Sequence, residues 1–272
     1  MPTINTNVAA IKARSNLDRV QREMDQSIAR LSSGKRITRA HDDAAGTAIA
    51  GRMESQIRGL NMSIRNTKDG QSLVDTMEGA TQEASAMLQR IREIAVQSSS
   101  GVATTTDKTY LQLEIAELVK EINAIGANTV FNDTVALTQN YSIFSDIDVN
   151  GTAIAISSNT ISSAKLKVTI ANVNLTAAAP AIDRVITIVD KAIAILDNNR
   201  AKLGAISNRF DHIIDNLTNV VANTEASKSR VEDADFAIET TQLTRNTVLQ
   251  QAATSMVAQA NASKNSILAL IQ

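Results

Sequence analysis

Few side chains in this sequence can do chemistry, and their spacing limits what that chemistry can be. His41 and His212 are the only histidines, and there is no cysteine. Disulfides, thiolate zinc sites and cysteine nucleophiles are excluded, and so is a multi-histidine metal centre. His41-Asp42-Asp43 has the residue types of a metal or acid–base site. No second histidine lies nearby, however, and carboxylates suit the first turn of a helix, so a solvated turn or helix start accounts for the cluster. His212 sits at helical spacing among Arg209, Asp211 and Asp215, which reads as a solvated face. Glu232-Asp233-Ala234-Asp235 lacks the glycine and terminal glutamate of a calcium loop. Neither a glycine-rich phosphate loop nor a Gly-x-Ser-x-Gly elbow occurs. The expectation is a protein that is not an enzyme and needs no cofactor or metal.

The elements that would have positioned such groups point the same way. The chain has 272 residues, 43% hydrophobic and 20% charged, but aromatics make up only 2%. Ala, Ile, Leu and Val must fill the interior, and these suit long helical seams better than a thick core around a pocket. A length prior of about 150 residues per domain allows one or two domains. Lys+Arg 27 against Asp+Glu 28 leaves no electrostatic footprint for nucleic acid. No stretch approaches the roughly 18 uninterrupted apolar residues of a membrane span, so no membrane insertion is expected. The first residues, Met1 to Asn7, lack the basic region and apolar core of a cleavable secretory signal. Export would have to use a route that ignores such signals.

Proline occurs only at positions 2 and 180, so no ring interrupts a helix between them. Leu17, Val20, Met24, Ile28 and Leu31 fall on one helical face, and Ile4, Val8 and Ile11 begin a similar stripe upstream. Val74, Met77, Thr81, Ala84, Leu88, Ile91 and Ala95 repeat at threes and fours after Gly70. Leu111, Ile115, Leu118, Ile122 and Ile125 do the same with coiled-coil spacing. A polar loop from Ser98 to Asp107 joins these two helices as antiparallel neighbours. Pro180 suits the first turn of the longest run, whose stripe passes through Ile182, Val185, Val189, Leu196, Leu203, Phe210, Ile214, Leu217 and Val221. About 40 such residues make a rod roughly 60 Å long.

Residues 141–175 differ in character. Asn150-Gly151 between β-prone segments is a strong hairpin signal. The alternation of Leu166, Val168 and Ile170 reads as a further strand. The expected fold is mainly α, a long-helix bundle or coiled-coil rod with a small β-hairpin region and paired N- and C-terminal helices.

The tail carries the clearest signal. Residues 246–272 contain one charge, Lys264, whereas a free surface helix ordinarily carries charge on its outer face. Leu249, Ala252, Met256, Ala260, Ser263, Ile267 and Leu270 run at helical spacing, with Gln, Thr, Ser and Asn on the other faces. Residues 1–16 are similar, with only Lys12 and Arg14 charged. Both ends read as incomplete alone, suited to pairing with each other and to burial against further copies of the chain. Leu17, Val20, Met24, Ile28, Leu31, Leu249, Ala252, Met256, Ala260, Ile267 and Leu270 are therefore the candidate assembly residues.

Ordered motifs at both ends resemble bacterial flagellin. They begin with Ile4-Asn5-Thr6-Asn7, Asn16-Leu17, Leu31-Ser32-Ser33-Gly34-Lys35-Arg36-Ile37 and Asp42-Asp43-Ala44-Ala45-Gly46. Asp69-Gly70, Glu78-Gly79-Ala80 and the segment Gln89 to Ser98 follow. Leu203-Gly204-Ala205, Asn208-Arg209, Asn216-Leu217 and Ser229 to Asp235 complete the set. The resemblance implies an inner coiled-coil domain from residues 1–42 and 231–272, and a rod domain from 43–230 with the β-hairpin segment about 141–175. Where family members often carry large variable outer domains, only that short segment stands, so the chain resembles a minimal flagellin. Phe131-Asn132-Asp133 departs from the family's Phe-Asn-Gly, and Thr38 and His41 also differ from the family pattern.

By this resemblance the chain is a structural subunit that polymerises with itself into the bacterial flagellar filament for swimming motility, secreted and extracellular. Its implied partners are the flagellar type III export machinery, an export chaperone and the filament cap. A chain with few prolines and no cysteine would thread without slow isomerisation or disulfides. Gln89, Arg90, Glu93 and Glu114 resemble the surface that an innate immune receptor, Toll-like receptor 5, reads in many flagellins; subunit contacts would equally account for them. A hook–filament junction protein is the alternative within the same machinery. A coiled-coil adaptor is less suitable, since it requires charged flanks that residues 246–272 lack.

Overall fold

In the computed structural model, the described residues are 6–144, 153–157, 160–175 and 180–269, with side chains undescribed at 180–181 and 264–269. Five helices dominate: α1 (Val8–Ser33), α2 (Ala44–Ser98), α3 (Thr105–Asn128), α4 (Pro180–Glu232) and α5 (Phe236–Ala269). Four short strands, β1 (Val130–Phe131), β2 (Thr134–Val135), β3 (Tyr141–Phe144) and β4 (Ala153–Ile156), lie between α3 and α4. The chain forms two compact units, Met1–Ile57 with Ala222–Gln272, and Arg58–Val221.

Each helix begins or ends where local chemistry dictates. Asn7 accepts from the Ala10 amide (3.1 Å) at the start of α1, and Gly34, at φ 70°, closes its end in the left-handed region. Asp43 accepts from the Gly46 amide at 2.8 Å and so caps α2. Thr104 and Asp107 form a reciprocal capping box at α3. Pro180 is the first residue of α4, as its fixed φ favours. Asp235 accepts from the Ala237 (2.8 Å) and Ile238 (3.3 Å) amides to start α5.

In the unit Arg58–Val221, one aliphatic core joins α2, α3, α4 and the segment between α3 and α4. Val74, Met77, Ala84, Leu88, Ile91 and Ala95 of α2 are fully buried, as the stripe anticipates. They meet Ile115 and Ile122 of α3, and Val185, Val189, Leu196, Leu203 and Phe210 of α4. Phe210 is the one fully buried aromatic side chain among the described residues, so the core is indeed built from aliphatics. The buried threonines of α2 return their hydroxyls to the backbone, Thr67 to Ser63 O (2.8 Å) and Thr81 to Met77 O (2.6 Å), which removes the cost of burying them. Gln71 with Asp211, Glu78 with Arg200 and Arg92 with Asp190 tie α2 to α4 in antiparallel register.

The segment after α3 holds one hairpin anticipated from sequence and one that is not. β3 and β4 pair antiparallel from Tyr141 opposite Ile156 to Phe144 opposite Ala153. The Asn150-Gly151 signal lies outside the described residues. β1 and β2 form a second, tighter hairpin around Asn132 (φ 49°) and Asp133 (φ 60°). Two left-handed residues make the turn type that matches strand twist, and asparagine and aspartate tolerate that region. The expected strand at Leu166, Val168 and Ile170 is not formed. Lys167, between the first two, has φ 58°, and the amides of Leu166 and Lys167 close turns onto Ser162 O (3.0 Å) and Ala164 O (3.3 Å). Leu166 and Val168 enter the core all the same, whereas Ile170 is 46% exposed.

This turn-rich segment is fastened to α3 by side-chain amides. Gln112 donates to Val173 O (2.9 Å) and accepts from the Leu175 amide (2.8 Å), mimicking a strand neighbour. Asn123 accepts from the Ser163 amide at 2.8 Å. Ile154, Ile156, Ile161, Leu166, Val168, Val173 and Leu175 are thereby buried, so the segment forms a wall of the core.

Candidate assembly interface

In the other unit, α1 and α5 run antiparallel and are tied at both ends and in the middle. Asn7 Nδ2 donates to Ala260 O (3.0 Å), Gln250 Nε2 to Gln21 Oε1 (2.7 Å), and Arg30 Nη1 to Glu239 Oε1 (3.0 Å). Beyond them, Lys35 and Asp233 form an antiparallel bridge flanked by the Arg36 amide on Glu232 O (2.7 Å) and the Ala234 amide on Gly34 O (2.9 Å). Lys228 also bonds Glu54, joining α4 to α2 within this unit.

The helix–helix seam and the outer apolar faces are different sets of residues. On α1 the seam passes through Leu17, Val20, Met24, Ser27 and Leu31; Val20 and Ser27 are buried and the rest half-buried. Ile28 turns away and is 47% exposed, as are Val8 and Ile11 at 51% and 60%. On α5 the seam passes through Glu239, Leu243, Asn246, Gln250, Ala253, Val257 and Ala260, all buried or half-buried. Leu249 and Met256 face outward, 44% and 64% exposed, and Ala252 is exposed with them. The side chain of Ile267, and Leu270 altogether, lie outside the described residues. Glu239, Asn246 and Gln250 interrupt the α5 seam with polar groups, so a search for apolar residues alone finds the outer face first. A heptad scan admitting polar residues would have found the seam.

Asp42 organises the link between α1 and α2. It accepts from the Thr38 hydroxyl (2.9 Å), the Thr38 amide (3.1 Å) and the Arg39 amide (3.0 Å), and pairs with His41 Nδ1 at 3.0 Å. The cluster read from sequence as a turn and helix start is therefore that. The Thr38 hydroxyl, reinforced by the two amides, holds the Asp42 carboxyl below the usual carboxylate range. With the folded value below the unfolded one, its stabilisation is complete above the unfolded value of about 3.9 and fades as pH falls through the lowered value. Exchange protection of the Thr38 and Arg39 amides should fall on acidification below about pH 4. In Asp42→Asn that acid-dependent step should vanish; an identical step in the variant would contradict the assignment.

On α2 and α3, Arg90 is clasped by two carboxylates, Glu114 (Nη2 to Oε1, 2.8 Å) and Glu93 (Nη1 to Oε2, 3.1 Å). The hydrogen bond it donates to Glu114, then that to Glu93, raises its already high pKa further, so the guanidinium stays charged. Gln89 lies exposed beside it. The structure thus brings Gln89, Arg90, Glu93 and Glu114 to one surface. Among the described residues no cluster of His, Asp and Glu suited to a metal exists, and no helix is long and apolar enough to cross a membrane.

Two family models match this arrangement of paired ends: the bacterial flagellin N-terminal helical region over residues 4–142 and the C-terminal helical region over residues 186–271. The chain belongs to the bacterial flagellin family. It is 38% identical to the flagellin of Halalkalibacterium halodurans, with 99% of each chain covered. Against the flagellin of Bacillus subtilis the identity is 34%, again over 99% of each chain. The crystal structure of Bacillus cereus flagellin aligns at 30% identity over 59% of this chain and 94% of its own, with a TM-score of 0.49. As a flagellin the chain is a structural subunit of the flagellar filament and not an enzyme. The filament is a polymer of such subunits outside the cell.

Proposed function

We propose that the lattice contact of this flagellin is made by the outer faces of its terminal helices. The observation that carries this reading is the exposure of Leu249, Ala252 and Met256 on a helix almost devoid of charge. A solvated face of that composition is unfavourable, and a neighbouring subunit removes it from water. On α1, Val8 and Ile11 at its start and Ile28 near its end are exposed as well. Each copy then offers different surfaces to its neighbours, and such heterologous contacts build an open helical polymer. On this reading residues 1–42 and 231–272 act as the inner domain and 43–230 as the rod.

The chain reaches the filament through the flagellar export machinery, attended by an export chaperone and inserted under the filament cap. The polar seam of α1 and α5 favours that route. Ser27, Glu239 and Asn246 are buried where apolar residues would bind more strongly, so the pair holds one register at a cost in stability and opens readily. Gln89, Arg90, Glu93 and Glu114 form the surface for an innate immune receptor of a host. Arg90→Ala should lower receptor signalling by monomers about tenfold through loss of the clasped guanidinium. Equal signalling by variant and parent would contradict that role.

Seeded polymerisation tests the assembly reading. Purified monomers added to short filament seeds should extend them into long filaments under negative-stain microscopy. A chain lacking residues 246–272 should remain monomeric with the melting of the unit Arg58–Val221 intact. Extension by the truncated chain would overturn the proposed contact.

A further inference from the structure

Helix α4 carries an exposed basic face that the terminal helices do not explain. Arg184, Lys191, Lys202 and Arg209 fall on one face of α4 at helical spacing, with Ile195 in their midst. All four cations are exposed, and Ile195 is 43% exposed. None of the four forms an ion pair among the described residues. The carboxylates of the same stretch, Asp183, Asp190 and Asp197, step by sevens along a different face, where Asp190 bonds Arg92 of α2 at 2.7 Å. Segregation of this kind leaves a basic stripe with an apolar centre, and like charges in a row repel unless something anionic lies on them.

The same unit carries the opposite surface on α3. Tyr110, Leu113, Glu117 and Glu121 fall on one helical face, with Tyr110 65% and Leu113 62% exposed. Glu117 is engaged only by its own-helix neighbour Lys120, an exposed pair of little energetic weight. Both α3 and α4 run antiparallel to α2, so they point the same way, and copies aligned along a filament keep that direction. When Leu113 is laid opposite Ile195, Glu117 and Glu121 fall four and eight residues further on, either side of Lys202, seven residues on.

We propose that the acidic-apolar stripe of α3 docks on the basic-apolar stripe of α4 of a second copy, forming a lateral contact between subunits that is separate from the terminal helices. The proposal rests on the filament-subunit reading. It names one occupant for an otherwise uncovered face, chosen by charge complementarity and by the match of apolar centres. Because donor and acceptor stripes differ, the contact propagates from copy to copy without closing on itself.

Charge reversal tests it directly in the full-length chain. Lys191→Glu with Lys202→Glu, and separately Glu117→Lys with Glu121→Lys, should each slow seeded elongation at least about tenfold, because like charges then face each other around position 202 and Lys191→Glu removes the neighbouring positive charge of the stripe. An equimolar mixture of the two double variants should elongate again, since each supplies what the other lacks. The quadruple variant, with both stripes exchanged on one chain, should recover growth on its own. Recovery also shows that the substituted helices fold. Parental rates for both double variants, or no recovery in the mixture and in the quadruple variant, would overturn the contact. Failure of the parent chain itself to extend seeds would instead sink the filament reading on which the proposal stands.

Discussion

Gly126→Ala should lower the melting temperature of the unit Arg58–Val221 by roughly 6–12 °C, corresponding to about 3 kcal/mol. Gly126 is buried near the end of α3, and a methyl group there would sit 1.7 Å from Ile161 O and 2.9 Å from Ile161 C. Both are backbone atoms, so no rotamer change relieves the clash. Ile161 is itself 1% exposed, and the next residues are held by the Ser163 amide on Asn123 Oδ1 at 2.8 Å. The whole turn-rich wall must move away from α3 or α3 must bend. Moving the wall exposes Ile154, Ile156 and Leu166, all of which belong to the shared core. Thermal unfolding followed by circular dichroism measures the effect, and a shift under about 2 °C would show that the wall yields freely.

Leu249→Asp together with Met256→Asp should abolish assembly while leaving the monomer's melting unchanged. Both side chains are substantially exposed in the single chain, so their replacement costs the monomer within about 0.5 kcal/mol. In the proposed lattice they are covered, and each introduced carboxylate would be buried without a partner at a cost of several kcal/mol. A loss of about 2.7 kcal/mol already raises the critical concentration roughly a hundredfold. Sedimentation of seeded reactions reads that concentration. Assembly at the parental concentration would place these residues on a free surface.

Much of the architecture is legible in the residues because helical periodicity survives local irregularity. The stripe from Val74 to Ala95 and the start of α4 at Pro180 follow from spacing and ring geometry alone. The β3–β4 pair follows from β-prone segments flanking a turn signal. Other features depend on backbone conformation that side-chain type does not reveal. The β1–β2 turn uses Asn132 and Asp133 in the left-handed region, where a glycine would have announced it. Leu166, Val168 and Ile170 alternate as a strand does, yet the left-handed Lys167 converts the alternation into a turn that still delivers two of the three to the core. The α1–α5 seam is obscured for a different reason. Its polar members fix register instead of contributing hydrophobic area, so apolar periodicity points to the outer face and passes over the seam.

Distance along the chain conceals other contacts. Gln112 reads as a solvated helical residue, and only the fold brings Val173 and Leu175 to its amide. Gly126 likewise carries no turn signal, since its role is to admit a neighbouring carbonyl. The basic stripe of α4 is present in the residue spacing, but its meaning depends on knowing that Asp183, Asp190 and Asp197 lie on another face and that Arg184, Lys191, Lys202 and Arg209 form no ion pair among the described residues.

Methionine oxidation reads the central claim most directly, because Met256 sits on the proposed lattice face at 64% exposure while Met77 is fully buried. Dilute hydrogen peroxide converts accessible methionine to its sulfoxide, which mass spectrometry locates. In monomers Met256 should oxidise readily and Met77 should not. In filaments grown from the same protein, oxidation of Met256 should slow by about tenfold or more as the neighbouring subunit covers it. Equal oxidation of Met256 in monomer and filament would contradict the account, since the outer face of α5 would then remain open to solvent in the assembled polymer.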